Sequence, residues 1–250
     1  MLDQSITIIG ISLLILLIAV LYSSVGHGGA SGYLAVLALF AFPPEEIRTT
    51  ALLLNVVVAG IAFFTFARAR HFVFRRAWPF VLTSVPAAFL GGMLHVTGHL
   101  YYLLLAFALA VAAARMLLPR LMQPDDELRP VHTPAALLAG AVLGVISGMI
   151  GIGGGIFLSP LLLLMRWSTI KTASATAAFF ILVNSLAGLA GSAVHGSLHV
   201  TAYLPFLGAA VLGGLTGSIF GAHAFSSVTL RRCLALVLVL AAAKLVLGSL

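Results

Sequence analysis

Two glycine-rich runs carry the chemistry this sequence offers: "SSVGHGGASG" at 23–32 and "GIGGG" at 151–155, each interrupting a strongly apolar stretch. Where a helix stops at a glycine, backbone N–H groups lose their intrahelical partners, and the next helix begins with its positive end. Such a turn is a preformed cradle for an anion, and the missing side chains let a ligand reach the backbone. Gly26, His27, Gly28 and Gly29 in the first run, with Gly151, Gly153, Gly154 and Gly155 in the second, are therefore candidate substrate-binding residues. Hydroxyls and amides nearby add donors. Ser24 and Ser31 flank the first run, Ser147 and Ser159 the second, while Thr50, Asn55, Thr176 and Asn184 begin or line the stretches that follow. Small residues also permit tight helix crossings in membranes, and Thr and Asn also cap helices or bond between them. Two clusters at matching positions of two repeats favour a site. Arg48 and Lys171 fall near opposite entrances, where a base attracts anions or snorkels to the interface.

His27 is the only ionisable side chain placed at membrane depth, because all six acids, Asp3, Glu45, Glu46, Asp125, Asp126 and Glu127, fall in termini or loops. The carboxylate relay of a proton-coupled carrier is thus missing. An anion leaving a negative interior gains ~2.3 kcal/mol per charge per 100 mV, enough to bias export about fiftyfold without a coupling ion. His27 has three readings: direct anion contact, proton carriage, or a hydrogen-bonded core residue.

The elements that position these residues follow from composition. The 250 residues are 62% hydrophobic, with thirteen Lys and Arg and six Asp and Glu, and mean hydropathy is +1.19. That is an integral membrane protein rather than a soluble domain. Ten apolar segments run from Ile6–Tyr22 to Cys233–Leu247, and lipid admits their backbone as helices, so an all-α polytopic bundle is expected. The N-terminal apolar run has no cleavage site after it and reads as retained. Residues 119–134, with four prolines, read as a cytoplasmic linker between a first repeat, 1–118, and a second, 135–250. Placing Thr50 on Thr176 aligns "WPF" at 78–80 with "LPF" at 204–206 and Gly91 with Gly217, and one inserted residue brings Gly26, Gly28 and Gly29 onto Gly151, Gly153 and Gly154. Internal repeats of this kind are common in transporters.

Charge decides their orientation. If each glycine element crosses once, Lys and Arg split eight to five between the faces. If each goes in and returns, Arg68, Arg70, Arg75, Arg76, Arg115, Arg120, Arg129, Arg166, Lys171, Arg231 and Arg232 share one face, leaving Arg48 and Lys244 on the other. Eleven to two is a strong positive-inside signal, so the second repeat is expected to be inverted and both termini to lie outside the cytoplasm. Each glycine cluster then centres a broken or re-entrant helical hairpin.

Other chemistry is disfavoured. Cys233 is the only cysteine, so no intrachain disulfide forms, and the +7 net charge lies in short loops, which argues topology rather than nucleic-acid binding. His95 with His99 and His195 with His199 have i, i+4 spacing, but glycines intervene and no acid or cysteine assists, so neither a metal nor any cofactor is expected. No phosphate loop, G-x-G-x-x-G run or H-E-x-x-H motif occurs, and an enzyme is not expected. Small anions and lipid are the expected partners, with self-association open.

The stretches "GHGGASGYLAVLALFAFPPEEIRTTALLLN" and "GVISGMIGIGGGIFLSPLLLLMRWSTIKTASATA" resemble the paired signatures of the sulfite exporter TauE/SafE family of membrane transporters, and the resemblance covers nearly the whole chain. It implies transport of sulfur-containing anions, sulfite or organosulfonates such as sulfoacetate, across a bacterial inner membrane. His27 and Ala30 stand where the second copy has Ile152 and Gly155, so the two half-sites are not equivalent. The expected function is a secondary transporter, an exporter, binding its anion between the two glycine breaks near the midplane and exposing it alternately. An anion channel and a non-transporting membrane scaffold are the alternatives.

Overall fold

The computed structural model describes residues 2–94, 98–117, 128–194 and 204–223, together with 239, 242, 243 and 246. Among the described residues the secondary structure is helical: α1 (Leu2–Ser23), α2 (Ala30–Leu39), α3 (Pro44–Arg68), α4 (Phe74–Met93), α5 (Gly98–Leu117), α6 (Thr133–Ile150), α7 (Gly155–Leu164), α8 (Ile170–Ala193) and α9 (Leu204–His223). Of these, α3, α6 and α8 are long and apolar enough to cross a membrane. Apart from isolated positions, the expected last segment, Cys233–Leu247, lies outside the described residues, as do 119–127 of the linker and His95, His195 and His199.

Local signals set the helix ends. Pro44 opens α3 with Glu45 and Glu46 in its first turn and Arg68 in its last, the charge order that the helix dipole favours. Thr169 caps α8, its Oγ1 accepting from the Thr172 backbone N–H at 3.4 Å. The surface is apolar and the interior mixed: Leu13, Phe64, Phe107 and Leu138 are each more than 60% exposed, whereas Thr50, Asn55, Ser84, Asn184 and Ser185 are fully or almost fully buried. That inversion suits a protein whose solvent is lipid.

Small residues make the helix contacts. A Cβ at Gly140, Gly144 or Gly148 of α6 would run into the backbone of Phe80, Ser84 or Ala88 of α4, so the two helices are parallel and in register every fourth residue. Gly213 and Gly217 of α9 lie in the same way on Leu16 and Val20 of α1. Under the offsets that align the two glycine runs and the two Thr-rich helices, the contact of Gly91 with Val145 is the counterpart of that of Gly217 with Val20. The α9 helix also runs parallel to α3, Gly214 lying near Val58 and Ile61 and Ser218 accepting from the Thr65 hydroxyl at 3.3 Å.

The Thr-rich helices α3 and α8 are antiparallel. Leu52 meets Gly188, Gly60 meets Leu182, and the rings of Phe63 and Phe179 are 5.0 Å apart. Because α1 and α3 both run parallel to α9, the chain between them must double back, and α2 does so. Gly32 sits on Ile18, and the Tyr22 and Ser31 hydroxyls are 2.6 Å apart. At ten residues, α2 and α7 rise only ~15 Å, about half a bilayer core.

Candidate functional site

Each glycine run is a broken helix in space. The α1 helix ends at Ser23 and α2 starts after Gly29, whose φ is +98°; α6 ends at Ile150 and α7 starts after Gly154, at φ +73°. An L side chain is strained in that left-handed region, which is why glycine closes both turns. The backbone N–H groups of Gly28, Gly29 and Ala30, and of Gly153, Gly154 and Gly155, make no backbone hydrogen bond among the described residues.

The two turns lie along the two antiparallel helices. From Gly151 to Gly153 the second turn follows α3: a Cβ at Gly151 would stand 2.9–3.1 Å from the Arg48 O, Cγ and Cα, and one at Gly153 would stand 2.7 Å from Asn55 Nδ2. From Gly26 to Gly28 the first turn follows α8, Gly26 against Ser174 and Gly28 against Ile181. Arg48 and Asn55 are seven residues apart, as are Ser174 and Ile181, which puts each pair two turns apart on one helix face. The turns converge on one spot. Both Gly28 and Gly153 abut Asn55, and both abut Ile181 Cγ2.

Asn55 is fully buried between these two turns, and neither its Oδ1 nor its Nδ2 has a hydrogen-bond partner. The Ser185 hydroxyl, near Gly153 beside it, is also buried and unpartnered. Elsewhere along α3 and α8 the Thr50 and Thr176 hydroxyls and Asn184 Oδ1 are buried without partners, while Asn184 Nδ2 donates to its own helix at Phe180 O, 2.8 Å away. Buried polar groups in folded proteins are overwhelmingly hydrogen-bonded, so the unmet Asn55 amide and Ser185 hydroxyl beside two turns with free N–H groups mark a place where a polar ligand would be favoured. No acid side chain is buried among the described residues.

The remaining residues singled out from the sequence sort differently. The Ser24 hydroxyl donates to Leu21 O of its own helix, and Ser31 bonds Tyr22. Both ring nitrogens of His27 are engaged: Nδ1 lies 2.9 Å from Val25 O, which fixes a proton there, and Nε2 lies 3.0 Å from the Ser159 hydroxyl on α7. The imidazole therefore ties the first turn to the second hairpin. Gly155 packs against Ile181, and the Ser147 hydroxyl, one turn before Gly151, is buried and unpartnered. Lys171 is half-buried at the start of α8. Arg48 is 6% exposed beneath the second turn, its Nη1 donating to Leu94 O at 2.9 Å. Sequence reasoning did not single out Ser185, Ile181 or Tyr101, whose hydroxyl donates to Ile150 O just before the second turn. Only the repeat alignment marks one of them, since it puts Ile181 opposite Asn55.

A buried polar spot between broken helices in a lipid-facing bundle is the design of a membrane transporter. Residues 11–245 match the family described as Sulfite exporter TauE/SafE. The chain is 36% identical over 241 residues to "Probable membrane transporter protein y4hK" of Sinorhizobium fredii (strain NBRC 101917 / NGR234), a match covering 95% of this chain and 97% of that protein. The chain belongs to the sulfite exporter TauE/SafE family and is a multi-pass membrane transporter of small molecules, not an enzyme. No solved structure matches it.

Proposed function

We propose that this protein is a secondary carrier that exports small sulfur-containing oxyanions, sulfite or organosulfonates, across a bacterial inner membrane, with both termini periplasmic. The anion sits between the two glycine turns. The free N–H groups at the starts of α2 and α7 and the side chains of Asn55 and Ser185 supply its hydrogen bonds, and Thr50, Thr176 and Asn184 line the path along α3 and α8. The observation that carries this reading is Asn55: a fully buried amide without a partner at the one point where both turns meet. An oxyanion accepts several short hydrogen bonds from such fixed donors, and each charge-assisted bond is stronger than a neutral one.

The antiparallel course of α3 and α8, whose sequences align as equivalents, supports inverted repeats divided by the linker at 119–134. In that arrangement the first hairpin enters from the outer side and the second from the cytoplasm. Rocking of the α1–α3–α9 group against the α4–α6 group would uncover the anion to one side at a time. His27 acts by holding the two hairpins together through Ser159, and the membrane potential drives export.

The test is flux of radiolabelled sulfite and methanesulfonate from proteoliposomes, with and without an imposed potential. The carrier reading expects flux that saturates, rises with a negative interior and accelerates with substrate on the far side. Flux linear in concentration would replace the carrier with a channel, and no flux of either anion would overturn the substrate assignment.

A further inference from the structure

We propose that Arg48 is the counter-charge of the bound anion and limits the site to one net negative charge. This rests on the anion reading above. Four observations point to it. Arg48 is 6% exposed, so its guanidinium is desolvated. Its Nε–H is buried with no partner, while Nη1 is used on Leu94 O at the end of α4. Its stem and backbone lie against Gly151, the first residue of the turn that runs on to Asn55. The carboxylate whose charge reaches it, Glu45, is exposed three residues earlier in the first turn of α3 and leaves Nε unmet.

A buried cation is expensive unless an anion or a dense set of acceptors answers it. One carbonyl is a partial answer, and an oxyanion held by the second turn, with its charge on the Arg48 side, would complete it. The equivalent position on α8 is Ser174, beside Gly26, and the equivalent of Asn55 is Ile181. Cationic and amide chemistry are therefore gathered on the α3 side of the site, whereas α8 offers a hydroxyl and an apolar side chain. A monoanion with an uncharged substituent fits that polarity: head toward Arg48 and Asn55, substituent toward Ile181. A dianion would bring a second charge that no described buried side chain balances while the His27 imidazole is neutral, its Nδ1 proton on Val25 O.

The experiment is a titration of the detergent-purified protein with sodium methanesulfonate, sulfite and sulfate, followed by thermal shift and calorimetry, on wild type, Arg48→Lys and Arg48→Gln. Wild type should bind methanesulfonate at least about tenfold more tightly than sulfate, and Arg48→Gln should bind it about thirtyfold or more weakly, as expected when one partner of a buried charge pair is removed. Arg48→Lys should recover part of the loss. A role confined to holding the end of α4 would lower the melting temperature of both variants without anion and leave binding midpoints unchanged, which would overturn the proposal. If Arg48→Gln does not fold, the wild-type comparison decides: equal affinity for sulfate and methanesulfonate overturns the single counter-charge. Absence of wild-type binding to all three anions would remove the anion reading itself.

Discussion

Asn55 is the residue on which the functional account turns. An unmet buried amide costs about 1–3 kcal/mol, which a binding ligand recovers. Its confinement is as informative as its burial, since a Cβ at Gly28 or Gly153 would run into its amide. Gly153→Ala should thus abolish transport and destabilise the protein by about 1–3 kcal/mol, because the methyl meets Asn55 Nδ2 at 2.7 Å and the residue sits at φ +74°. Thermal melting in detergent and proteoliposome flux would check both halves; wild-type flux would show that the turn tolerates a side chain and does not approach substrate. The glycines were legible in the sequence because positive φ and close approach leave a compositional mark. Arg48 was not. A base just after a Pro-Glu-Glu helix start reads as an entrance or snorkelling charge, and its burial against Gly151 of the second hairpin is visible in the fold alone.

The glycines of the scaffold divide by what surrounds them. Those of α6 form a seam on which α4 rests, and Gly144→Val would push a branched side chain into the Ser84 backbone. Loss of the monodisperse peak in size-exclusion chromatography is expected. Gly10 in α1 and Gly208 in α9 have nothing near where a Cβ would stand, so Gly10→Ala and Gly208→Ala should elute and melt like wild type. Collapse of either would mean that those helix faces are covered in the membrane. In the sequence the site glycines stand in clusters, whereas the seam glycines are single small residues among apolar ones. Backbone conformation separates them: the seam residues are helical, and the turn residues Gly151, Gly153 and Gly154 are left-handed. The short second legs of the hairpins were legible from segment length alone, because ten to thirteen residues cannot span a bilayer as one helix.

Across the whole molecule, equivalent positions exchange partners: the second turn follows α3 and the first follows α8, while α4 rests on α6 as α9 rests on α1. An inverted pair of repeats predicts that the connection before α3 and the connection before α8 lie on opposite sides. In a Cys233→Ser background, Phe40→Cys should react with an impermeant maleimide applied outside cells, and Met165→Cys only after the inner face is opened; both side chains are substantially exposed. Labelling of both from outside would make the repeats parallel and remove the opposed helix N-termini. The weak repeat and the uneven distribution of Lys and Arg are the sequence features from which this topology is proposed. The pairing of helices was hidden, because all-round apolar helices carry no stripe that names a neighbour.

The most direct measurement is calorimetric titration of methanesulfonate and sulfite into wild type and Asn55→Ala, each first shown to be folded by its melting curve. With the amide as a shared ligand of both turns, Asn55→Ala keeps its fold and binds at least about tenfold more weakly, the loss expected for one charge-assisted hydrogen bond. Unchanged affinity in a folded Asn55→Ala protein would contradict the placement of the anion between the two glycine turns.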